Sequence, residues 1–149
     1  MFLWRISNHA ALAGLGGLLT SARWHTQGRP VVYLAETPAG ALTEMLVHLE
    51  LEVDNLPKSY KLLKAEAPDN LPILTLTVDE LGPGWKDDVL TTRTLGDEWL
   101  VSRATALLRV PSAVVLETYN VVLNPGHSDA AHVKVLWHQE YPWDRRLLE

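Results

Sequence analysis

The stretch RWHTQGRPVVYLAETPAGALTE, residues 23–44, decides the fold that the sequence predicts. The β-branched pair Val31-Val32 leads into the apolar run Tyr33-Leu34-Ala35, which predicts a buried strand. Thr37 suits the N-cap of a helix and Pro38 suits its first position, so a helix should follow the strand at once. Apolar residues then recur at helical spacing and form one stripe, namely Leu42, Met45, Leu46 and Leu49.

Three side chains of this strand–turn–helix unit are expected to converge on one cleft. Arg23 precedes the strand, Tyr33 lies on it, and Glu44 lies on the helix, outside the apolar stripe. A cation, an aromatic ring and a carboxylate in one cleft suit a nucleotide that carries a pyrophosphate, a flat base and a ribose. The unit therefore favours a dinucleotide site.

The composition predicts a globular protein with a real core. The chain has 149 residues, of which 47% are hydrophobic, and we expect a single domain over 1–149. Its net charge of −5 argues against a general nucleic-acid binder. The absence of cysteine excludes disulfides, cysteine zinc sites and thiol nucleophiles. With no apolar run long enough to span a membrane, we expect a cytoplasmic protein.

The rest of the chain predicts more strands than helices. A helix is expected over Thr94–Leu108, ended by Pro111, and a short one through Leu12 after Ser7 or Asn8. Strands are expected at Phe2–Ile6, Tyr60–Glu66, Ile73–Val78, Ala113–Leu116, Asn120–Leu123 and Val133–Trp137. This pattern predicts an α+β fold, a mixed and mostly antiparallel central sheet with flanking helices. The segment HSDAAH, residues 127–132, matches no metal signature, so no metal site is expected.

Five segments in order resemble the RES domain family, the toxin half of RES–Xre toxin–antitoxin pairs. They are FLWRIS, RWHTQGRPVVYLAETPAGALTEMLVHL, TRTLGDEWL, LRVPSAVV and NVVLNPGH. The family takes its name from arginine, glutamate and serine positions, and the resemblance spans roughly residues 2–147. It implies a fold related to ADP-ribosyltransferase toxins, with NAD+ as substrate and no further cofactor.

The resemblance leaves two reactions open, and both cleave the nicotinamide–ribose bond. One is hydrolysis or phosphorolysis that depletes NAD+; the other is transfer of ADP-ribose to a cellular protein. The resemblance also implies a homodimer and an Xre-type helix-turn-helix antitoxin that blocks the cleft and makes any DNA contact itself. A rival from another class is a non-catalytic module that binds a nucleotide or a partner protein.

The resemblance implies six site residues, of which three are expected to be catalytic and three to bind substrate. The catalytic set is Glu44, Arg23 and Tyr33, and the binding set is Arg5, Ser112 and Asn124. A carboxylate at Glu44 would stabilise the positive charge that develops on the ribose as the bond breaks. The structural alternative for Glu44 is a solvent-facing helix glutamate.

The other five roles follow from the same implied chemistry. Arg5 and Arg23 would bind the pyrophosphate, because a planar guanidinium donates paired hydrogen bonds to phosphate oxygens. The alternative is that either arginine forms an ordinary ion pair, for example with Asp97 or Glu98. Tyr33 would stack on nicotinamide or hold the ribose, or else be a core tyrosine. Ser112 would donate a hydrogen bond to the substrate, or else hydrogen-bond the backbone of its own turn. For Asn124, a role in shaping its own turn is favoured over contact with the substrate. The sequence departs from the family at His25, where asparagine is expected.

Overall fold

The protein folds around a seven-stranded sheet in a computed structural model that describes residues 1–49 and 58–148. The strands are β1 (Phe2–Ser7), β2 (Val32–Ala35), β3 (Lys61–Glu66), β4 (Ile73–Thr75), β5 (Leu107–Pro111), β6 (Tyr119–Leu123) and β7 (Lys134–Glu140). Their order across the sheet is β4-β5-β6-β2-β1-β3-β7. The β4–β5 pair is parallel and the other pairs are antiparallel, which confirms the predicted α+β fold with a mixed, mostly antiparallel sheet.

Four α-helices flank the sheet in the described part of the chain. They are α1 (Gly16–Leu19), α2 (Pro38–His48), α3 (Val78–Leu81) and α4 (Val89–Ser102), with 3₁₀ turns at Trp85–Asp87, Ser128–His132 and Arg145–Leu148. The predicted start of α2 is confirmed, because the Gly40 amide donates to the Thr37 hydroxyl at 2.9 Å and Pro38 occupies the first turn. No helix among the described residues is both long and apolar enough to cross a bilayer.

The two faces of the sheet build separate cores. One face, the leucine face, buries a continuous layer that includes Leu3, Leu34, Leu63, Leu107 and Leu123. The other, the helix face, carries α2 and α4 over Ile6, Ala35, Leu108 and Val122. Burying one such leucine stabilises a fold by about 1.5–3 kcal/mol, so the sheet holds the molecule together and the helices are positioned by it.

The segment of residues 20–25 crosses the helix face under α4. The Thr92 hydroxyl donates to the Arg23 carbonyl at 2.7 Å, and the Arg93 Nε donates to the Ala22 carbonyl at 2.7 Å. Gly96 permits this approach, since a Cβ at that position would lie 1.7 Å from the Trp24 carbonyl oxygen. Helix α4 therefore fixes the backbone that carries Arg23 and His25.

The predicted helix over Thr94–Leu108 is wrong at both ends. Helix α4 begins at Val89, where the Asp88 carboxylate caps it by accepting from the Thr91 amide at 3.2 Å. It ends at Ser102 because Arg103 adopts a left-handed conformation with φ of 53°. The sequence gives no signal of this conformation, because the residue is not glycine. Leu107 and Leu108 then belong to β5, and Pro111 ends that strand instead of a helix.

Three smaller expectations also need correction. The predicted strand at Ala113–Leu116 is a turn, because the Ser112 hydroxyl accepts from the Val114 and Val115 amides and curls the chain. The predicted strand Ile73–Val78 stops at Thr75, and Val78 starts α3. The predicted helix through Leu12 is absent, since the Ser7 hydroxyl accepts from the nearby His9 amide without a helix forming.

Candidate active site

Glu44 extends from α2 towards the ends of β5 and β6. Its Oε1 accepts two hydrogen bonds, from the Ser112 hydroxyl at 2.7 Å and from the Asn120 Nδ2 at 2.9 Å. Its Oε2 makes no hydrogen bond with a described residue. The carboxylate is therefore held by one oxygen and presents the other.

Ser112 is buried at the end of β5, and each site on its hydroxyl has a partner. The oxygen accepts from the Val114 and Val115 amides, both at 3.1 Å, and its single proton goes to Glu44. An oxygen with both lone pairs engaged is a poor nucleophile, in keeping with the absence of a nucleophile signature in the sequence. The predicted donation from Ser112 to substrate remains a prediction; in this structure the hydroxyl orients Glu44.

Asn120 is a site residue that the sequence reasoning missed. It lies on β6 opposite Ala35, two residues before the Thr37 cap of α2, and this pairing brings its amide under Glu44. Its Oδ1 is buried and finds no hydrogen-bond partner among the described residues. Only the register of β2 against β6 brings the two side chains together, and no motif in the sequence signals that register.

Tyr33 lies on the helix face with its hydroxyl fully engaged by the protein. The Trp24 amide donates to its oxygen at 3.2 Å, and the hydroxyl lies 2.8 Å from the His25 Nδ1. The His25 Nε2 faces the Thr20 carbonyl at 2.8 Å, which places the proton on Nε2 and makes Nδ1 the acceptor of the tyrosine proton. Burial raises the pKa of Tyr33 well above its ordinary value, so the phenol stays protonated.

Arg23 is anchored beside α4 and the loop that precedes it. Its Nη1 donates to the Lys86 carbonyl at 2.8 Å, and its guanidinium lies 5.7 Å from the centre of the Trp85 ring. The alternative that Arg23 pairs with Asp97 or Glu98 is not seen; Asp97 instead pairs with Arg29 at 3.2 Å. A small cavity of about 50 Å³ adjoins Trp85 and the start of α4.

Arg5 lies on the other side of the sheet from Tyr33 and Glu44. It pairs with Leu63 in β3, and directly opposed residues of antiparallel strands share a face, here the leucine face. Its guanidinium makes no hydrogen bond or ion pair with the described residues, and burial lowers its pKa. The structure therefore brings Glu44 and Ser112 together, whereas Arg5 lies across the sheet without a charged partner among residues 1–49 and 58–148.

Asn124 sits at the far end of β6 from Asn120. The two positions are four residue steps apart along the chain, about 13 Å at about 3.3 Å per step. The Asn124 Nδ2 donates to the Leu100 carbonyl at 3.1 Å, and its Oδ1 accepts from the Gly126 amide at 3.0 Å. Both ends of the amide thus hold the predicted Asn124-Pro125-Gly126 turn.

A charged cluster that the sequence reasoning also missed lies on the leucine face. Arg109 forms an ion pair with Glu36, and its guanidinium stacks 3.8 Å from the centre of the Tyr119 ring. The hydrogen bond that Arg109 donates to the Glu36 carboxylate raises the pKa of Arg109. Since Glu36 follows directly on Ala35 of β2, this cluster occupies the same end of the sheet as the Glu44 site.

The HSDAAH segment has a local structural explanation. The His127 Nδ1 accepts from the Asp129 amide at 2.9 Å and caps the 3₁₀ turn Ser128–His132. Among residues 1–49 and 58–148, no three histidine, aspartate or glutamate side chains form a group that could hold a metal ion.

Comparison with known sequences identifies similar proteins over nearly the whole chain. The family model described as RES domain matches residues 2–144. A Pseudomonas putida protein named Toxin Res is 46% identical over 135 residues, which cover 91% of this chain and 92% of that protein. The Prs ADP-ribosylating toxin of a Sphingobium species is 33% identical over 155 residues, covering 97% of this chain and 95% of that protein.

Comparison with solved structures supports the fold. The crystal structure of the Mycobacterium tuberculosis MbcT–MbcA toxin–antitoxin complex contains a chain with a TM-score of 0.73, covering 98% of this chain and 85% of that one. The sequence identity of that match is 16%, so the likeness concerns the fold alone.

Proposed function

We propose that this chain, which belongs to the RES domain family, is the toxin of a toxin–antitoxin pair and cleaves the nicotinamide–ribose bond of NAD+. Support for a toxin comes from the similar proteins, two of which carry the names Toxin Res and Prs ADP-ribosylating toxin. Transfer of ADP-ribose from NAD+ necessarily breaks the bond to nicotinamide, so the second name also supports NAD+ as the substrate.

The geometry of Glu44 is the observation that carries the proposal. Departure of nicotinamide leaves positive charge on the ribose ring, and a fixed carboxylate next to that ring stabilises the charge. Two donors on Oε1 fix the carboxylate beforehand, and the unengaged Oε2 can accept from a ribose hydroxyl or face the ring. A solvent-facing helix glutamate would not be tied to two strands in this way.

Binding of the dinucleotide is assigned to Arg23 and Tyr33. The predicted phosphate-binding role of Arg5 is not part of this assignment, because its side chain lies on the leucine face, across the sheet from Glu44. Arg23 keeps donors free after its one bond to the Lys86 carbonyl. Tyr33 would act through its ring, since its hydroxyl is engaged by Trp24 and His25.

The acceptor of the ADP-ribosyl group divides the proposal into two reactions. Water or inorganic phosphate would give depletion of NAD+, which we favour as the primary activity. A protein acceptor would make the chain a mono-ADP-ribosyltransferase, and the similarity to the Prs ADP-ribosylating toxin favours this second candidate. Both use the same Glu44, so only the products separate them.

Incubation of the purified protein with NAD+ tests the proposal directly. Release of nicotinamide with ADP-ribose indicates hydrolysis, and release that depends on phosphate, with phosphorylated ADP-ribose, indicates phosphorolysis. Release that needs a cell lysate and labels a protein band indicates transfer. Binding of NAD+ without any product would instead support the non-catalytic module and end the enzymatic proposal.

The antitoxin and the assembly belong to the same proposal. We expect an Xre-type antitoxin to cover the cleft and exclude NAD+, and the likeness to a toxin–antitoxin complex supports a partner of that kind. We also expect the chain to form a homodimer and to be located in the cytoplasm. Co-purification with the neighbouring gene product, followed by loss of nicotinamide release in the complex, tests the inhibitory partner.

A further inference from the structure

We infer that Asn120 is a positioning residue that aims Glu44 at the substrate, an inference that rests on the catalytic role proposed for Glu44. Asn120 does not have to touch NAD+ for this. Its Nδ2 donates to Glu44 Oε1 at 2.9 Å, and that bond is one of the two that set the direction in which the carboxylate faces.

Two donors meet on one oxygen of the Glu44 carboxylate. A glutamate held by a single hydrogen bond can still rotate about its terminal torsion, which is a broad and weakly restrained one. Ser112 reaches Oε1 from β5 and Asn120 reaches the same atom from β6, so the carboxylate is fixed from two directions. Hydrogen bonds to an ionised acceptor are strong enough to hold this geometry.

Asn120 is also unfavourable for the stability of the fold. Its Oδ1 is buried and unpartnered among the described residues, and a buried acceptor without a hydrogen bond is unfavourable. Asparagine is also a poor strand residue, and the rest of β6 is built of Tyr119 and the apolar run Val121–Leu123. An apolar side chain would suit the strand better, so the amide is explained by its donation to Glu44.

A kinetic comparison of Asn120→Ala with the wild-type protein tests this role. We expect kcat for nicotinamide release to fall by about 100-fold, the cost of a misplacement near 1 Å, while KM for NAD+ stays within about twofold. The melting temperature should not fall, since the variant also removes the unpartnered oxygen. The matched control is Asn70→Ala, an exposed asparagine in the turn before β4, which should leave kcat, KM and melting temperature unchanged.

A double variant separates positioning from a general packing effect. If Asn120 acts through Glu44, Asn120→Ala should lower kcat almost no further in a protein that already carries Glu44→Gln. An equal loss of kcat in the wild-type and Glu44→Gln proteins, or a raised KM with normal kcat, would overturn the inference.

A readout without substrate keeps the inference separate from the proposed NAD+ activity. The side-chain NH₂ signals of Asn120 in a ¹⁵N–¹H spectrum should shift when Glu44 is changed to Gln, because the charged acceptor is lost. Signals that stay in place would overturn the inference even if the wild type consumes NAD+. If the wild type releases no nicotinamide, the proposed function fails, and these signals still decide whether Asn120 holds Glu44.

Discussion

His25 ties the 20–25 segment to the sheet as a buried, neutral ring. Its exposed fraction is 2%, and its two nitrogens connect the Thr20 carbonyl to the Tyr33 hydroxyl. Burial lowers its pKa below the ordinary value of 6.5. His25, at the position where the sequence analysis expected asparagine, therefore has a structural role, as the link that keeps Arg23 beside the sheet.

Acidification should destabilise the fold through His25. Because the folded pKa is lowered, the unfolded chain binds more protons as pH falls below 6.5, so this contribution to stability is complete above 6.5 and is lost below it. We expect His25→Asn to be less stable near neutral pH but to lose less stability between about pH 7 and about pH 5. Thermal melts of both proteins across this range measure the difference; equal acid slopes would contradict the assignment.

Asn124 makes a prediction that separates its two possible roles. Asn124→Ala removes the bonds to the Leu100 carbonyl and the Gly126 amide, and we expect the free energy of unfolding to drop by about 1–3 kcal/mol. Denaturant unfolding measures this drop. Unchanged stability together with a raised KM for NAD+ would instead support the substrate-binding role implied by the family.

Glu44 is also the residue on which the proposed chemistry depends most directly. Glu44→Gln keeps the shape and the acceptor oxygen but removes the charge, so we expect nicotinamide release to fall by at least about 100-fold with little change in melting temperature. The control is Glu98→Gln on the exposed face of α4, which should behave as the wild type does. Near-normal turnover by the Glu44 variant would end the catalytic assignment.

The residues of the site differ in how far the sequence could reveal them. Glu44 and Ser112 were predicted because they match the glutamate and serine positions that the resemblance implies, and the structure joins them by a hydrogen bond. Asn120 was not predicted, because its role depends on a pairing between distant strands. The expectation of one common cleft also treated Arg5 without regard to strand alternation, which turns it to the leucine face.

At the scale of elements, α4 and the 20–25 segment form one packed unit. Gly96 is the contact point, and a methyl group there would overlap the Trp24 carbonyl oxygen. We expect Gly96→Ala to reduce the free energy of unfolding by about 3 kcal/mol by forcing the two apart. Gly16→Ala on α1 is the control, since nothing lies near its Cβ position and alanine favours helix.

The elements that the sequence predicted well are those with local signals. Three features are signalled within a few residues, namely the cap and proline of α2, the β-branched and apolar run of β2, and the Asn124-Pro125-Gly126 turn. The end of α4 does not, because Arg103 takes a left-handed conformation without glycine and the apolar Ala106–Leu108 continues the helical pattern. Tertiary pairing with β6 makes that segment a strand.

The protein as a whole is acidic, yet the substrate proposed for it is an anion. The net charge is −5, but the Arg23 guanidinium supplies a local positive charge beside Trp85, and a local field outweighs a distant net charge at short range. We expect KM for NAD+ to rise several-fold between about 0.05 M and about 0.5 M salt, with kcat little changed. Steady-state kinetics measure this; a KM that falls with salt would show that net repulsion dominates.

The Ser112 hydroxyl links the turn at residues 114–116 to the Glu44 carboxylate. The same oxygen that accepts from the Val114 and Val115 amides donates its proton to Glu44, and the neighbouring Leu116 side chain is 80% exposed. Displacing that hydrophobic turn would withdraw one of the two restraints on the acid. A small molecule or antibody fragment that displaces residues 114–116 should therefore slow nicotinamide release by loosening the hold on Glu44.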